Sequence, residues 1–276
     1  MQPVSDPVER AHLKDTAGFS PPISRFDPAP TARGLVRRYW VPVWSLPDGL
    51  VSSQRVLPYP VCQLVVADDY AHLVGPRVGM STKELSGTGW AFGAMLEPAA
   101  GSLLLGCPMA TLIDRDIDLV AVTAIDSSLL IDAVRTLLRP DPAHPLAQAT
   151  AAQTVEHALQ PLQPVDDEGI LINAVVALVE SDPEITRVTD LTVHFGMTER
   201  SLQRLCAKRV GLSPKWLIQR RRLQDAAGRL AEVDRPALSD IAAELGYADQ
   251  AHFTRDFHAV TGLTPSAYSS QRSLSP

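Results

Sequence analysis

Two sets of side chains at matching spacing carry the chemistry this sequence offers. Arg200, Gln203 and Arg204 fall within "ERSLQRLCAKR", and Gln250, Ala251, His252 and Arg255 within "DQAHFTRDF". The planar fork of arginine and the amide of glutamine match the hydrogen-bonding edges of guanine and adenine in a DNA major groove. Other chemistries compete. His252 and Asp256, four apart, could share a metal ion, but His258 falls about 240° round a helix from His252 and no third ligand is evident, so no metal site is expected. GxSxG, HExxH, a phosphate loop and a Cys–His pair at motif spacing are all lacking, so no catalytic residue and no cofactor are assigned. On one isolated helix, arginine and glutamine would signify no more than solubility.

Their duplication changes that reading. "LTVHFGMTERSLQRLCAKRVGLSP" and "IAAELGYADQAHFTRDFHAVTGLTP" share a plan of short helix, glycine turn, second helix and Gly-Leu-Ser/Thr-Pro. Leu202 and Phe253, Arg204 and Arg255, Cys206 and Phe257, Gly211 and Gly262, and Pro214 and Pro265 are each 51 apart. The spacing predicts two helix-turn-helix units, with Gly196 and Gly246 in turns that need positive φ. Leu202 with Cys206, and Phe253 with Phe257, stand at i and i+4 and must face the core, which leaves the arginines and glutamines outward. Between the units lies "SPKWLIQRRRLQDAAGRLAE", where Ser213 suits an N-cap and Pro214 the first helical position. A helix over 213–231 would be roughly 28 Å long, close to the ~34 Å between successive major grooves on one face of a duplex. Phosphate contacts are expected from the helix N-termini at Ser213 and Thr264, and from Thr198, Ser201, Lys208, Lys215 and Thr254.

These elements sit in a chain of 276 residues, 45% hydrophobic, long enough for about two domains. The net charge of −6 looks wrong for a nucleic-acid partner until it is divided along the chain. Residues 1–167 hold 12 basic and 18 acidic side chains, whereas 168–276 hold 13 of each. Within the neutral part, Arg200–Arg222 carries eight basic residues and no acidic one. Screening makes phosphate attraction local, so such a patch is compatible with DNA. Cys62, Cys107 and Cys206 lie far apart, without disulfide or zinc spacing. There is no membrane-length apolar run and no signal-peptide order at the start, so a cytoplasmic location is expected, with no membrane partner.

The fold class expected is α+β in two domains. Residues 1–30, with six prolines, read as largely disordered or loosely packed. Residues 31–160 read as a barrel-like, mostly β domain with trailing helices: "RVLPYPVCQLVVADD", "GWAFGAML" and "SLLLG" carry the strand-like signals, and helical periodicity begins at Ser127. "PLQPVDD", residues 161–167, reads as a linker, and 168–272 as an all-α domain with two helix-turn-helix units joined by a long helix.

The C-terminal part, about 168–272, resembles the AraC/XylS family of bacterial transcription regulators. The likeness is carried by "RRLQDAAGRL" and "LSDIAAELGYADQAHFTRDFHAVTGLTPSAY", where Leu223, Leu230, Ile241, Ala242, Gly246, Tyr247, Phe253, Phe257, Gly262 and Pro265 fall on the family pattern. The resemblance implies two recognition helices in consecutive major grooves. Carried over by position, the base-facing residues would be Arg200, Gln203 and Arg204, then Gln250, Ala251, His252 and Arg255. It implies double-stranded promoter DNA and RNA polymerase as partners and a nucleoid-associated location; activator is the role expected, with repression left open by the sequence.

The N-terminal region, marked by "YWVPVWSLPDG", is broadly similar to the small β-barrel sensor domains of that family, without the HxH plus Glu pattern of a metal cupin. Trp40, Trp44, Tyr59, His72 and Trp90 could line an effector pocket, or could be core and hairpin packing residues. The helices from Ser127 to Gln160 could make a homodimer interface or a bridge to the helical domain. Three functions stay open: a DNA-binding regulator with a sensing or dimerising domain, the same with a ligand-independent interaction module, and an enzyme fused to a DNA-binding domain.

Overall fold

The structure, a computed structural model, describes residues 12–13, 19–56, 59–230, 232 and 236–273. Two antiparallel sheets form the N-terminal part. The larger has the order β2-β3-β8-β5-β6-β9, and the smaller β1-β4-β7. Its strands are β1 (His12–Leu13), β2 (Ile23–Phe26), β3 (Val36–Ser45), β4 (Val51–Val56), β5 (Gln63–Ala67), β6 (Ala71–Val74), β7 (Ser81–Ser86), β8 (Thr88–Leu96) and β9 (Asp116–Asp118).

Period-two patterning splits the larger sheet into two faces. Tyr39, Val41, Leu64, Val66, Leu73, Trp90, Phe92, Ala94 and Leu96 share one core. Helices α2 (Ser127–Leu138) and α3 (Pro145–Leu159) complete it with Leu130, Val134, Leu138, Ala151, Val155 and Leu159. The apolar stripes of these trailing helices thus close the β core. The opposite face gathers Val65, Ala67 and Ala91 with Trp40 and Tyr70. There the Trp40 ring lies across Gly93, its register partner, and the Trp44 ring across Gly89, also paired in register. Trp40 Nε1 donates to Gln63 Oε1 at 2.9 Å. A methyl group at Gly93 would run into the Trp40 ring. Gly93→Ala is therefore expected to cost about 1–3 kcal/mol by overpacking, read as a lowered denaturation midpoint; an unchanged midpoint would show that the ring has room to move.

Three expectations are corrected. The last part of the N-terminal segment is ordered: Ile23–Phe26 pairs with β3 in the register Ile23↔Pro42 to Phe26↔Tyr39. A four-residue edge strand among prolines is too short to show alternation, and edges tolerate proline. The rest of residues 1–18, His12–Leu13 apart, lies outside the described residues. "SLLLG" is no strand but the end of helix α1 (Pro98–Leu105), with Pro98 in the first turn and Gly106 at φ 68° closing it. A short apolar run does not distinguish strand from helix by period alone. The segment read as a linker is packed: Val165 joins two apolar cores, and Asp166 caps α4 (Asp167–Ser181) by accepting from Gly169 N at 3.1 Å.

The helical part continues with α5 (Val188–Phe195), α6 (Glu199–Arg209), α7 (Pro214–Leu230), α8 (Leu238–Glu244), α9 (Gln250–Thr261) and α10 (Pro265–Ser273). Among the described residues no helix is long and apolar enough to cross a membrane.

Candidate nucleic-acid interface

Each predicted unit folds as a helix, a tight glycine turn and a second helix. Gly196 follows α5 at φ 61°, and Gly246 follows α8 at φ 73°, the left-handed region that glycine enters at no steric cost. The second helices start from side-chain caps. Thr198 accepts from Ser201 N at 3.1 Å ahead of α6, and Asp249 from His252 N at 2.7 Å ahead of α9. Leu202, Cys206, Phe253 and Phe257 are fully buried, as the i, i+4 spacing requires. Burial pushes the Cys206 thiol up to about 12, so it stays protonated and serves as a small apolar side chain. In the second unit Tyr247, Phe253, Phe257 and Tyr268 form a chain of rings with centroids 5.3–5.7 Å apart.

With those faces fixed, Arg200, Gln203, Arg204, Gln250, Ala251, His252 and Arg255 are all exposed. Gln203 Nε2 donates to Glu199 Oε1 at 3.0 Å, which leaves its carbonyl oxygen outward. Arg255 Nε donates to Ala251 O at 3.3 Å, holding the fork against its own helix. His252 Nε2 stands 3.6 Å from Asp256 Oδ2, an oxygen that also accepts from Gln219 Nε2 at 2.7 Å. The His–Asp pair considered for a metal is thus tied to the connecting helix α7.

The residues expected at phosphates divide into three groups. Ser213 and Thr264 both cap helices: Ser213 Oγ accepts from Trp216 N at 3.1 Å, and Thr264 Oγ1 from Ala267 N at 3.2 Å. They occupy equivalent places in the two copies, as do the prolines that follow them. Thr198 and Ser201 bond each other at the start of α6, Lys215 is exposed, and Thr254 is half-buried. Lys208 is drawn to Glu168 at the start of α4, and the Lys208 ammonium holds the Glu168 carboxyl below the usual range.

The basic run Arg200–Arg222 is not one patch. Arg200, Arg204, Lys208 and Lys215 face solvent, whereas Arg209, Arg220 and Arg221 are buried and Arg222 is half-buried. Arg209 is held by Asp166, Glu168 and Ser102. Arg221 donates to Asp225 and to the carbonyls of Pro183 and Ile185. The Arg222 guanidinium lies 3.9 Å from the Tyr247 ring centroid, a cation–π contact. Charge counting alone cannot separate guanidiniums that meet solvent from those that tie helices together.

The five aromatic residues weighed for an effector pocket do not converge. Trp90 packs in the core under α2 and α3, and Tyr59 belongs to the core of the second helix-turn-helix unit. Only Trp40, Trp44 and His72 remain on the other sheet face, with the His72 ring 5.2 Å from that of Tyr70. The β3–β8 register, Trp40 opposite Gly93 and Val43 opposite Trp90, puts Trp40 and Trp90 on opposite faces, a relation between strands that no local pattern carries.

Sequence reasoning missed the residues that join the two parts. Arg37 of β3 bonds Glu97 and Glu180, and Asn173 of α4 accepts from Ala99 N and donates to Gly34 O, both at about 3.0 Å. No local pattern signals contacts between residues so far apart.

A β domain joined to a helical domain with two glycine-turned helix pairs, each presenting a polar, outward second helix, defines a two-unit helix-turn-helix protein. Residues 191–271 match the family described as a helix-turn-helix domain, and residues 24–118 match a domain of unknown function, DUF6597. The chain therefore carries a helix-turn-helix domain over residues 191–271 and a DUF6597 domain before it. An uncharacterized HTH-type transcriptional regulator of Haemophilus influenzae is 29% identical over 128 residues, 44% of this chain and 42% of that one. The HTH-type transcriptional activator AarP of Providencia stuartii is 35% identical over 79 residues, 29% of this chain and 58% of AarP. The chain thus spans about half the length of these relatives. Among solved structures, ToxT from Vibrio cholerae O395 aligns over 95% of this chain and 99% of its own, at 12% identity and a TM-score of 0.43.

Proposed function

We propose that the protein is a sequence-specific DNA-binding transcription regulator in which α6 and α9 enter two successive major grooves. One observation carries this reading: all seven side chains expected at base edges are exposed, on two equivalent helices whose opposite faces are fully buried. Arg200, Gln203 and Arg204 would read one segment, and Gln250, Ala251, His252 and Arg255 the other. The caps at Thr198, Ser213 and Thr264, with Lys215, sit at the helix starts where phosphates are gripped. On this reading residues 168–272 are the DNA-binding domain and 31–160 the regulatory domain, the protein works at the nucleoid in the cytoplasm, and RNA polymerase is its partner in activation. A small effector, if bound, would meet the sheet face of Trp40, Trp44 and His72. The dispersal of Trp90 and Tyr59 into cores favours the second reading of the N-terminal domain, an interaction module that needs no ligand.

Selection from a randomised duplex library tests the proposal. Enrichment of one sequence is expected, with log affinity falling linearly against log salt at roughly −0.9 per phosphate neutralised. A library that stays random after repeated rounds would sink it.

A further inference from the structure

Glu180 has a role that reading DNA does not by itself explain. It lies in the last turn of α4, and its carboxylate takes Arg37 Nη1 at 2.8 and 3.1 Å and Arg220 Nη1 at 3.4 Å. Arg37 belongs to the β domain and is also gripped by Glu97 at 2.8 Å. Arg220 belongs to the connecting helix α7, is buried, and lies over the Tyr59 ring with its charge 4.5 Å from the centroid. One carboxylate therefore ties the sheet, the first unit and the connecting helix together. Buried ion pairs add little net stability against an apolar substitute, and fixing geometry is their better-attested use.

A second observation points the same way. Gly211 and Gly262, equivalent in the two copies, both abut the β domain. A Cβ on Gly211 would stand 2.9 Å from the Met109 carbonyl, and one on Gly262 would stand 3.8 Å from Met80 Cε. Met80 N also donates to Val260 O at 3.1 Å. The C-terminal ends of α6 and α9 thus rest on one body. The two units themselves have separate cores. Leu217 and Ile218 of α7 join the first, and Leu223, Ala226, Ala227 and Leu230 join the second. The second core also takes in Tyr59, Val61 and Met95 of the β domain, and the first takes in Ala99.

We propose that the N-terminal domain is a brace that sets the distance and rotation between the two recognition helices, and hence the spacing of the DNA segments the protein accepts, with Glu180 as its positioning residue. This rests on the DNA-reading function proposed above. The helix α7 alone joins the units through one rod, whereas the β domain holds both units at matched points. An extra base pair between the segments shifts the second by about 3.4 Å and turns it by about 34°, a displacement that a braced pair of helices resists.

The test uses the full chain and the duplex it selects, remade with one base pair added or removed between the two recognised segments. Wild type is expected to lose about tenfold or more in affinity for either change in spacing. Glu180→Gln keeps the side chain's size and removes its charge; it is expected to bind the original duplex several-fold more weakly and to discriminate spacing by less than about threefold. Glu180→Asp, which keeps the charge, should restore much of the discrimination. A general loss of packing would weaken all spacings alike. Should Glu180→Gln fail to give a cooperative melt, Met80→Ala, which thins the contact with the second unit, replaces it with the same expectation. A folded variant with the wild-type spacing profile overturns the brace. A wild type that selects no sequence overturns the DNA-reading function instead.

Discussion

Phe257→Ala is expected to lower the unfolding free energy by about 3–5 kcal/mol, a large share of the stability of most domains. The ring is fully buried, 5.7 Å from Phe253 and 5.4 Å from Tyr268 between centroids, in a core that also holds Leu223, Ile241 and Tyr59. Removing it opens a cavity in that core between Phe253 of α9 and Tyr268 of α10. Cys206 is the equivalent residue of the first unit, also fully buried. Cys206→Ala removes a single sulfur atom and should cost about 1 kcal/mol, which makes it the internal control. Urea denaturation followed by circular dichroism measures both. Equal losses for the two variants would show that the ring cluster does not hold the second unit as described.

The second large effect concerns DNA. Arg204 and Arg255 are equivalent positions on α6 and α9, and both are exposed. Each alanine variant should lose about 1–3 kcal/mol if the arginine is bidentate to a guanine, which is about 5- to 150-fold in affinity. The two sit on separate helices with separate cores, so the losses should add, to about 2–6 kcal/mol. The pattern matters as much as the size. Each substitution should relax sequence preference in one segment only, whereas Lys215→Ala should weaken binding to all sequences alike and flatten the salt slope by about one unit. Equilibrium binding at several salt concentrations distinguishes the two kinds of loss.

Much of the helical half was legible in the sequence because it is written twice. The 51-residue offset placed Leu202 with Phe253 and Arg204 with Arg255, and both pairs behave alike, buried in the first case and exposed in the second. Gly196 and Gly246 have the positive φ that their turns demanded. The basic run was legible only as composition. Arg209, Arg220 and Arg221 turn inward because their acceptors, Asp166, Glu180 and Asp225, lie on other turns or other helices. In the β domain, "GWAFGAML" gave a strand, while "SLLLG" gave a helix end, since five residues are too few to fix a period. Trp40 and Trp44 drew attention as pocket walls, and their fit over Gly93 and Gly89 became visible only with the strand register. Long-range pairing is set by topology, and nothing near Arg37 in the chain announces Glu180.

The most direct measurement is a hydroxyl-radical footprint on the selected duplex, with wild type and the two single arginine variants. Wild type should protect two patches on one face of the helix, about 10–10.5 base pairs apart, with Arg204→Ala losing definition in one patch and Arg255→Ala in the other. A single patch for wild type, or two patches that both persist unchanged in each variant, would contradict twin recognition by α6 and α9.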